Sequence, residues 1–497
     1  MPPISRRNAL LLGGLGVAGT VAGGAGLWWS LNSREPPVAG EALEQPTALS
    51  SAGGALEASL EAAPGLFLLA GRKAGALGYN GGIPGPTLRL RTGDVLRVRL
   101  VNKLAEPSNL HLHGLHVSPQ GNGDNVFVTV ESGSSFDYQY QLPAQQPPGL
   151  YWYHPHHHGR VADQVFAGLF GAIIVEDPAP PAVSSDRVLL VSDTTVDGTG
   201  NVAYPSLPER VAGREGTLVL VNGQANPRLV ARPGERERWR IVNCCVARYL
   251  RLRLDGQRLQ LLGMDSGRFP SPSDVQEVVL APGNRAELLV TAAAGESVLR
   301  AVRYDRGSMP GMTGRGRRPG PPLGQDGPPD PYGTALATLV VTGEPVATAT
   351  AAAAPAWPPP PDLRSAVVSA RRQLVFATSM GAGAGPGMGM MDFTINGRNF
   401  DSGRADLTVA AGTVEEWTLV NRSPMDHPFH LHIWPMQPVA ENGRTVETAT
   451  LRDVVNVPAN GQTTVRIAFR DFSGRSVYHC HILDHEDLGM MGVIEVR

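Results

Sequence analysis

Residues 478–491 of the chain read Tyr-His-Cys-His-Ile-Leu-Asp-His-Glu-Asp-Leu-Gly-Met-Met. In this run Cys480 stands between two histidines, a third histidine follows, and Met490 comes near the end. Thiolate, imidazole and thioether groups in one short run are soft and borderline ligands that suit copper. On an extended strand His479 and His481 point to one face and the cysteine to the other. The run therefore predicts two metal sites, one on each face. The competing interpretation is a surface strand with one buried cysteine.

The 13 histidines of the chain are sorted into four clusters, two near each end of the sequence. Each cluster contains a His-x-His pair, which an extended strand presents on one face. Packing the two ends together would collect the imidazoles of all the pairs, enough for about three metal ions with open positions for a ligand such as O₂. The pairs are His111 and His113, His154 and His156, His430 and His432, and His479 and His481.

His427 stands outside these pairs, a few residues before the third of them. Together with Cys480, His485 and Met490 it completes a set of two imidazoles, one thiolate and one weak axial thioether. That set is typical of a blue-copper site.

Composition limits the classes of protein that need to be considered. A chain of 497 residues is too long for one ordinary domain, so about two to four domains are expected. The 59 glycines and 43 prolines indicate many turns and few long helices. A net charge of -2 gives no basic surface for nucleic acid. With only 3 cysteines, of which Cys244 and Cys245 are adjacent, a disulfide framework is excluded.

The N-terminal segment, residues 1–40, has the pattern of an export signal. Arg6 and Arg7 precede an apolar, Gly/Ala-rich run that extends to Trp29. Paired arginines before such a run predict the twin-arginine route, and therefore delivery to the periplasm or the cell exterior. A transmembrane anchor is the alternative, because the run is long enough to span a bilayer although its glycines and alanines make it weakly apolar. Retention of an uncleaved segment as an anchor stays open.

One β-unit recurs three times along the chain. Residues 88–102 hold a turn followed by strict alternation of apolar and polar residues, which predicts a half-buried strand. The spacing from glycine to asparagine is the same at 93–102, 234–243 and 412–421. Self-similarity at this scale predicts three homologous domains. Short alternating strands and frequent turns predict an all-β chain of antiparallel Greek-key sandwiches.

Composition also sets the expected boundaries. The Ala/Glu/Pro/Ser-rich residues 41–63 are expected to be a linker. Residues 307–332 are rich in glycine and proline and are expected to be a surface loop of the second domain. The three domains are expected at residues 64–177, 178–347 and 362–497.

The four histidine motifs resemble those of the multicopper oxidases, three-domain cupredoxin proteins that include laccases and bacterial cuprous oxidases. The family pattern HxHG, HxH, HPxHxH and HCHxxxHxxxxM is met at every ligand position, and the resemblance covers nearly all of the chain after the N-terminal segment. It implies four copper ions: one type 1, one type 2 and two type 3. The implied ligands are His427, Cys480, His485 and Met490 for type 1; His111 and His430 for type 2; His113, His154 and His481 for one type 3 ion; and His156, His432 and His479 for the other. Three histidines have no ligand role in the pattern and are expected beside the ligands or at the surface: His116, His157 and His158.

The resemblance implies an oxidase that takes single electrons from a donor and reduces O₂ to water. Electrons would pass through Cys480 into His479 and His481. The expected partners are O₂ and a small reducing substrate, and we expect a monomer. The identity of the electron donor stays open. It is a phenolic or aromatic compound if the protein is a laccase, and Cu(I) or Fe(II) if it is a metallo-oxidase that acts in copper tolerance. A third alternative, a copper-free structural protein of the envelope, is disfavoured by the complete ligand sets.

Reduction of O₂ consumes protons, so an acid is expected near the three-copper cluster. The candidates are Asp124, shortly after the first motif, and Glu486, inside the fourth. Surface carboxylates without a role are the alternative. Asp453 is expected either to orient a type 1 histidine or to form a structural salt bridge.

Six methionines stand in Gly-rich segments that offer no periodic apolar face to bury them. Thioether sulfur selects Cu(I), so one interpretation is a Cu(I)-docking segment near His427 and His485. The other is that these residues are flexible gap-fillers. The proposed docking residues are Met380, Met388, Met390 and Met391, and two further methionines are Met309 and Met312.

Overall fold

The structure is a computed structural model, and it describes residues 40–308, 333–346, 357–380 and 391–497. In these residues the strands form six sheets, which pair into three sandwiches along the chain. The predicted all-β fold of three sandwiches is confirmed. Several neighbouring strands are parallel, so the sheets are mixed and the expectation of purely antiparallel sheets is wrong.

The first sandwich contains nine strands and one short helix among the described residues. They are β1 (Ala48–Ser50), β2 (Ala55–Leu69), β3 (Arg72–Tyr79), β4 (Thr87–Leu90), β5 (Val95–Asn102), β6 (His111–His113), β7 (Ser135–Gln141), β8 (Gly149–His154), α1 (Val161–Phe166) and β9 (Gly171–Val175). One sheet has the order β1-β4-β9-β8-β6 and the other has the order β3-β2-β5-β7.

The segment expected to be a linker, residues 41–63, belongs in large part to this sandwich. β1 pairs with β4, and β2 pairs along its first half with β5. Burial alternates along β2, with Leu56 and Leu60 inside and Glu57 and Glu61 outside. The linker prediction rested on composition and is wrong, because alternation at a period of two buries one face of a strand even when its residues are alanine and glutamate.

The second sandwich contributes no His-x-His pair. Its elements are β10 (Ser185–Thr194), α2 (Leu207–Ala212), β11 (Leu218–Val221), β12 (Arg228–Ala231), β13 (Arg236–Asn243), β14 (Leu250–Leu254), β15 (Arg258–Met264), β16 (Gly267–Val275), β17 (Val278–Leu280), β18 (Arg285–Thr291), β19 (Gly295–Val302) and β20 (Thr334–Val341). The sheet orders are β11-β10-β13-β18-β15-β16 and β12-β20-β19-β14-β17.

The third sandwich carries the last two histidine clusters. Its elements are a 3₁₀ turn (Leu363–Ser365), β21 (Ala370–Met380), β22 (Met391–Ile395), β23 (Leu407–Val409), β24 (Val414–Asn421), β25 (His427–Leu431), β26 (Met436–Glu441), β27 (Arg444–Thr445), β28 (Val454–Val457), β29 (Gln462–Ala468), β30 (Gly474–Cys480), α3 (Leu483–Asp487) and β31 (Met491–Val496). The sheet orders are β22-β21-β24-β29-β26-β27 and β23-β31-β30-β25-β28.

The threefold repeat is visible in hydrogen bonds as well as in topology. The asparagines that end β5, β13 and β24 are Asn102, Asn243 and Asn421, and all three are buried. Each donates from its side-chain amide to two backbone carbonyls, one a few residues ahead and one beside the following hairpin. Because a buried amide needs partners, the same residue recurs where the same turn must be held.

The largest apolar cluster joins all three sandwiches beside the fourth histidine motif. It includes Trp152 from the first sandwich, Val246 from the second, and Phe429 and Cys480 from the third. Within the described residues no helix is long and apolar enough to cross a membrane. The loop predicted at 307–332 and the proposed methionine segment lie largely outside the described residues. Of the segment's methionines, the structure describes the side chain of Met391, which is half-buried against this cluster.

Candidate metal centre

Four strands bring the eight paired histidines together where the first and third sandwiches meet. β6 pairs with the end of β8, so His111 lies opposite His154. β25 pairs with β30, so His430 lies opposite His479. All eight imidazoles are buried, with at most 2% of the residue exposed. The sequence prediction that the clusters meet is therefore confirmed.

The closest approaches between these rings join nitrogen to nitrogen. His111 Nε2 lies 3.4 Å from His430 Nε2. His479 Nε2 lies 3.1 Å from His156 Nε2 and 3.2 Å from His432 Nε2. Each of the two groups takes residues from both the first and the third sandwich.

The tautomers of these imidazoles follow from the partner of the other ring nitrogen. His430 Nδ1 lies 2.8 Å from the backbone oxygen of Asp453, and His479 Nδ1 lies 2.9 Å from that of Cys480. A carbonyl only accepts hydrogen bonds, so each Nδ1 carries the hydrogen and each Nε2 presents a lone pair. Burial also lowers the pKa of His430 well below its usual range and that of His479 to about 4, so both rings are neutral.

His111 Nδ1 lies 2.9 Å from the Asp124 carboxylate, which accepts its hydrogen when ionised. The lone pairs of His111 Nε2 and His430 Nε2 then face one another at 3.4 Å and repel. A metal ion between them removes the repulsion, and imidazole nitrogen is a common ligand of copper. The donor set therefore fits copper on the chemistry of its own atoms.

A third group of imidazoles also has free nitrogens. Within the described ranges, four of these nitrogens have no hydrogen-bond partner: His113 Nδ1, His154 Nε2 and both nitrogens of His481. The ring centroids of His113 and His481 are 5.0 Å apart, and that of His154 is 5.8 Å from each. Unpartnered buried nitrogens are costly, so this group also fits a metal ion.

Asp124 is held against the histidine cluster. Its carboxylate lies 2.9 Å from His111 Nδ1 and accepts the backbone N–H of Leu112 at 2.9 Å. One oxygen also lies 3.7 Å from His432 Nδ1. Burial raises the pKa of Asp124 to about 7. The alternative of a surface carboxylate is excluded for this residue.

Glu486 lies close to two imidazoles of the cluster. Its oxygens lie 3.6 Å from His156 Nδ1 and 3.4 Å from His479 Nδ1. Neither oxygen has a hydrogen-bond partner among the described residues, and the side chain is fully buried. Burial, followed by the charge of Asp487, raises the pKa of Glu486 well above its usual range.

Asp453 contacts the histidine cluster and not the cysteine site. Its Oδ1 lies 2.9 Å from His113 Nε2, which leaves Nδ1 as the free atom of that ring. Its carboxylate also forms a buried, bidentate salt bridge with Arg285, with Nη2 to Oδ2 at 2.7 Å, and accepts from Ser266. The predicted contact with a type 1 histidine is wrong, whereas the predicted salt bridge is confirmed.

Two residues of the second sandwich touch this cluster and were not predicted. Arg285 is fully buried between Asp453 and the backbone oxygen of Leu150. Gly283 has φ +85°, and a Cβ there would meet His481 Nε2 at 2.8 Å. A glycine follows the corresponding hairpin in the other two sandwiches, at Gly133 and Gly461. The repeat therefore marks the position without showing that a ring packs on it.

Cys480 and two imidazoles form a separate buried site on the other face of β30. Cys480 Sγ lies 3.3 Å from His427 Nδ1 and 3.9 Å from His485 Nδ1. The backbone N–H of Ile482 donates to the same sulfur at 3.4 Å. Burial raises the pKa of the Cys480 thiol above its usual range, so a bound cation would be needed to hold it as a thiolate.

The outer nitrogens of both imidazoles are engaged, which aims Nδ1 at the sulfur. His427 Nε2 lies 2.8 Å from Ser423 Oγ, and His485 Nε2 lies 3.1 Å from the backbone oxygen of Val211 in α2. Phe393 stacks on His485 with ring centroids 4.3 Å apart. The backbone carbonyl of Val211 therefore fixes the tautomer of His485, and the lone pair of His485 Nδ1 points toward Cys480.

Met490 is fully buried in the apolar cluster that contains Cys480. Its backbone is bonded to the site on both sides, to Cys480 at 3.0 Å and to His485 at 2.9 Å. The three remaining histidines make side-chain contacts with residues that are not proposed ligands. His116 contacts Asp471, His157 contacts Thr129, and His158 packs against Phe400.

Family models match most of the chain. Three models, each described as multicopper oxidase, match residues 66–180, 182–308 and 373–497. The chain belongs to the multicopper oxidase family. It is therefore an oxidoreductase that uses copper as cofactor and O₂ as acceptor, and its three sandwiches are cupredoxin-like.

Individual relatives carry different names. The structure of a multicopper oxidase from Campylobacter jejuni, described as a metallo-oxidase, is 32% identical with a TM-score of 0.79, covering 92% of this chain and 96% of that one. A laccase from Bacillus subtilis is 26% identical, covering 84% of this chain and 90% of that protein. Cell division protein FtsP of a Rahnella species is 29% identical, covering 99% of each.

Proposed function

We propose that this oxidase holds four copper ions, one at the cysteine site and three in the histidine cluster. The observation that carries the proposal is the convergence of buried, neutral imidazole nitrogens across two sandwiches. The cell division relative FtsP bears on the alternative of a copper-free structural protein. In such a protein these buried nitrogens would face one another without compensation.

The distribution of ligands that we propose follows the family motifs. Cys480 Sγ and the Nδ1 atoms of His427 and His485 would hold the type 1 ion, with Met490 as the weak axial ligand. The other ligands would be His111 and His430 for type 2, His113, His154 and His481 for one type 3 ion, and His156, His432 and His479 for the other.

Copper supplies one-electron redox chemistry and binds O₂. The chain supplies the electron path, because His479 and His481 are covalently attached to Cys480 on either side. It also excludes water, since the cysteine and all the imidazoles that would bind copper are buried.

Asp124 and Glu486 are proposed to deliver the protons that O₂ reduction requires. Asp124 contacts a type 2 imidazole of the assignment, and Glu486 faces two imidazoles of one type 3 group. Buried carboxyl groups that lack a guanidinium or ammonium partner hold protons readily. Asp124 also lies 3.7 Å from His432 Nδ1, so both acids approach ligands proposed for the same type 3 ion.

The donor is proposed to be a phenolic or aromatic compound, with Cu(I) or Fe(II) as the second candidate. The Bacillus relative's name favours the first, and the Campylobacter relative's description as a metallo-oxidase favours the second. The methionine segment that would dock Cu(I) lies largely outside the described residues. Export by the twin-arginine route and a monomeric state are part of the same proposal and rest on the sequence.

Oxygen consumption by the copper-loaded protein tests the proposal. A methoxyphenol, Cu(I) and Fe(II) are compared as donors, for the native chain and for Cys480→Ser. The native protein should be blue and consume O₂ with at least one donor. Cys480→Ser should lose the colour and the activity while keeping the copper of the histidine cluster, because the thiolate is the source of the colour and the first link to that cluster.

Cys244→Ala is the matched control, since Cys244 is a second buried thiol in the same apolar cluster but contacts neither site. It should remain blue and active. A blue Cys480→Ser protein, or a fully copper-loaded native protein that consumes no O₂ with any of the three donors, would overturn the proposal.

A further inference from the structure

The imidazoles of the cysteine site are closed to direct contact by a donor. His427 and His485 have no exposed surface. The outer nitrogen of the first contacts Ser423, and that of the second contacts the backbone of Val211 in α2. An electron must therefore enter through residues that surround the site.

A groove of about 580 Å³ lies where the β2–β3 hairpin and α1 meet residues 201–204 of the second sandwich. This volume is within the range of small-molecule sites. The lining includes Leu66 and Tyr204, which are 77% and 88% exposed. Among the described residues six large apolar side chains are exposed, and two more of them, Leu68 and Leu207, lie within three positions of this lining. Exposed apolar groups gathered at one concave surface indicate a binding site.

A chain of ion pairs leads from the groove to the cysteine site. Asp163 and Arg214 line the groove, and Arg214 Nη1 donates to Asp163 Oδ1 at 2.6 Å. The same guanidinium contacts Asp484, with Nε 3.0 Å from Oδ1, and the backbone N–H of Arg214 donates to Oδ2 at 2.8 Å. Asp484 directly precedes His485 in α3. The hydrogen-bonded contacts and the short α3 backbone thus join the groove to an imidazole of the site.

We propose that this groove is the docking site of a phenolic donor. The inference rests on the proposed function and deepens it by naming the place of substrate oxidation. The bound phenol loses one electron and its hydroxyl proton and becomes a phenoxyl radical. The proton would pass to solvent water in the open groove, because the Asp163 carboxylate is already paired with two arginines. The electron would travel by Arg214 and Asp484 to His485, and the copper(II) ion that His485 would hold would accept it.

The lining suits an aromatic ring and not a soft metal ion. Leu66, Phe166 and Tyr204 offer apolar surface for a ring, and Arg214 lies 5.4 Å from the Phe166 ring centroid. None of the described residues that line the groove is a methionine, cysteine or histidine, which are the ligands that select Cu(I). The Asp163 carboxylate is already paired with two arginines and is a poor ligand for a further cation.

Binding and turnover together test the groove. The binding probe is 2,6-dimethoxyphenol, titrated by calorimetry into copper-loaded protein that has been fully reduced under argon, so that no oxidation occurs. The variant is Leu66→Ser with Tyr204→Ser, and the matched control is Val230→Ser with Val367→Ser, two exposed apolar side chains outside the groove. All four positions are exposed, so both double variants should fold and bind copper.

The Kd of the phenol should rise about tenfold in the groove variant, because two apolar contacts are lost. Its KM in O₂ uptake should rise by a similar factor, and the control should match the native protein. Unchanged Kd and KM in the groove variant would overturn the docking site and leave the proposed function intact. If no donor supports O₂ uptake, the proposed function fails, whereas the Kd comparison still decides whether the groove binds phenol.

Discussion

At the scale of single residues, two buried carboxyl groups face the same histidine cluster but are held differently. Asp124 is fixed by His111 and by a backbone N–H, so it both orients that ring and stands near the cluster. Neither carboxylate oxygen of Glu486 has a hydrogen-bond partner in the part of the chain that the structure describes. Burial of a carboxyl group without hydrogen-bond partners lowers stability, so its presence beside the cluster indicates a role in the chemistry.

Asp124→Asn and Glu486→Gln should therefore slow O₂ reduction without removing copper. The amides have nearly the same shape but carry no exchangeable acid, and positioned acids contribute on the order of 100-fold or more to rates. Copper content, colour and turnover number are measured for each. Glu131→Gln changes an exposed carboxylate and should be neutral. Normal turnover in both buried variants would remove these residues from proton delivery.

At the scale of elements, β18 explains what a sandwich without paired histidines contributes. Arg285, at its start, holds the Asp453 carboxylate, which in turn holds His113 Nε2. That contact leaves His113 with Nδ1 as its free donor atom. The second sandwich thus orients His113, a proposed metal ligand in the cluster between the other two sandwiches. Loss of a hydrogen-bond partner of this kind changes metal affinity by about 10- to 100-fold.

Arg285→Lys should therefore lower the copper content of the histidine cluster while the blue colour persists. Lysine keeps the charge but not the two-pronged contact with a carboxylate. Metal analysis and EPR measure the loss. Arg238→Lys is the control, because Arg238 is an equally buried arginine on β13 paired with Asp177 and Glu287. Both variants should lose stability on the order of a few kcal/mol. Equal copper content in the two would contradict the positioning role.

The elements also show how far sequence reasoning reaches. Alternation predicted β5, and the spacing from glycine to asparagine predicted the repeat, because both are local in the chain. The same alternation is present in β2, but an alanine- and glutamate-rich composition hid it. One of the two expectations for Asp453 placed it at the wrong site, because the sequence does not show which histidine of another domain a side chain meets. The role of Arg285 could not be predicted, because the sequence does not distinguish a buried arginine from a surface arginine until its partner is known.

At the scale of the whole molecule, the two metal sites differ in what they join. The cysteine site takes His427, Cys480 and His485 from one sandwich. The histidine cluster takes half of its imidazoles from the first sandwich and half from the third. In the proposed assignment, copper in the cluster would therefore link the first and third sandwiches, whereas copper at the cysteine site would stabilise one sandwich.

Removal of copper should lower the melting temperature, and most of the loss should come from the histidine cluster. A ligand at a thousandfold excess over its Kd adds about 4 kcal/mol to the free energy of unfolding. Without metal, the opposed lone pairs at 3.4 Å repel and the contact between sandwiches weakens. Calorimetry of the copper-free and copper-loaded forms measures the difference. Cys480→Ser, which loses only the site inside one sandwich, should keep most of the copper-dependent increase, whereas His156→Ala, which cuts a link between sandwiches, should lose more of it. Equal increases in the two variants would show that the cluster does not hold the sandwiches together.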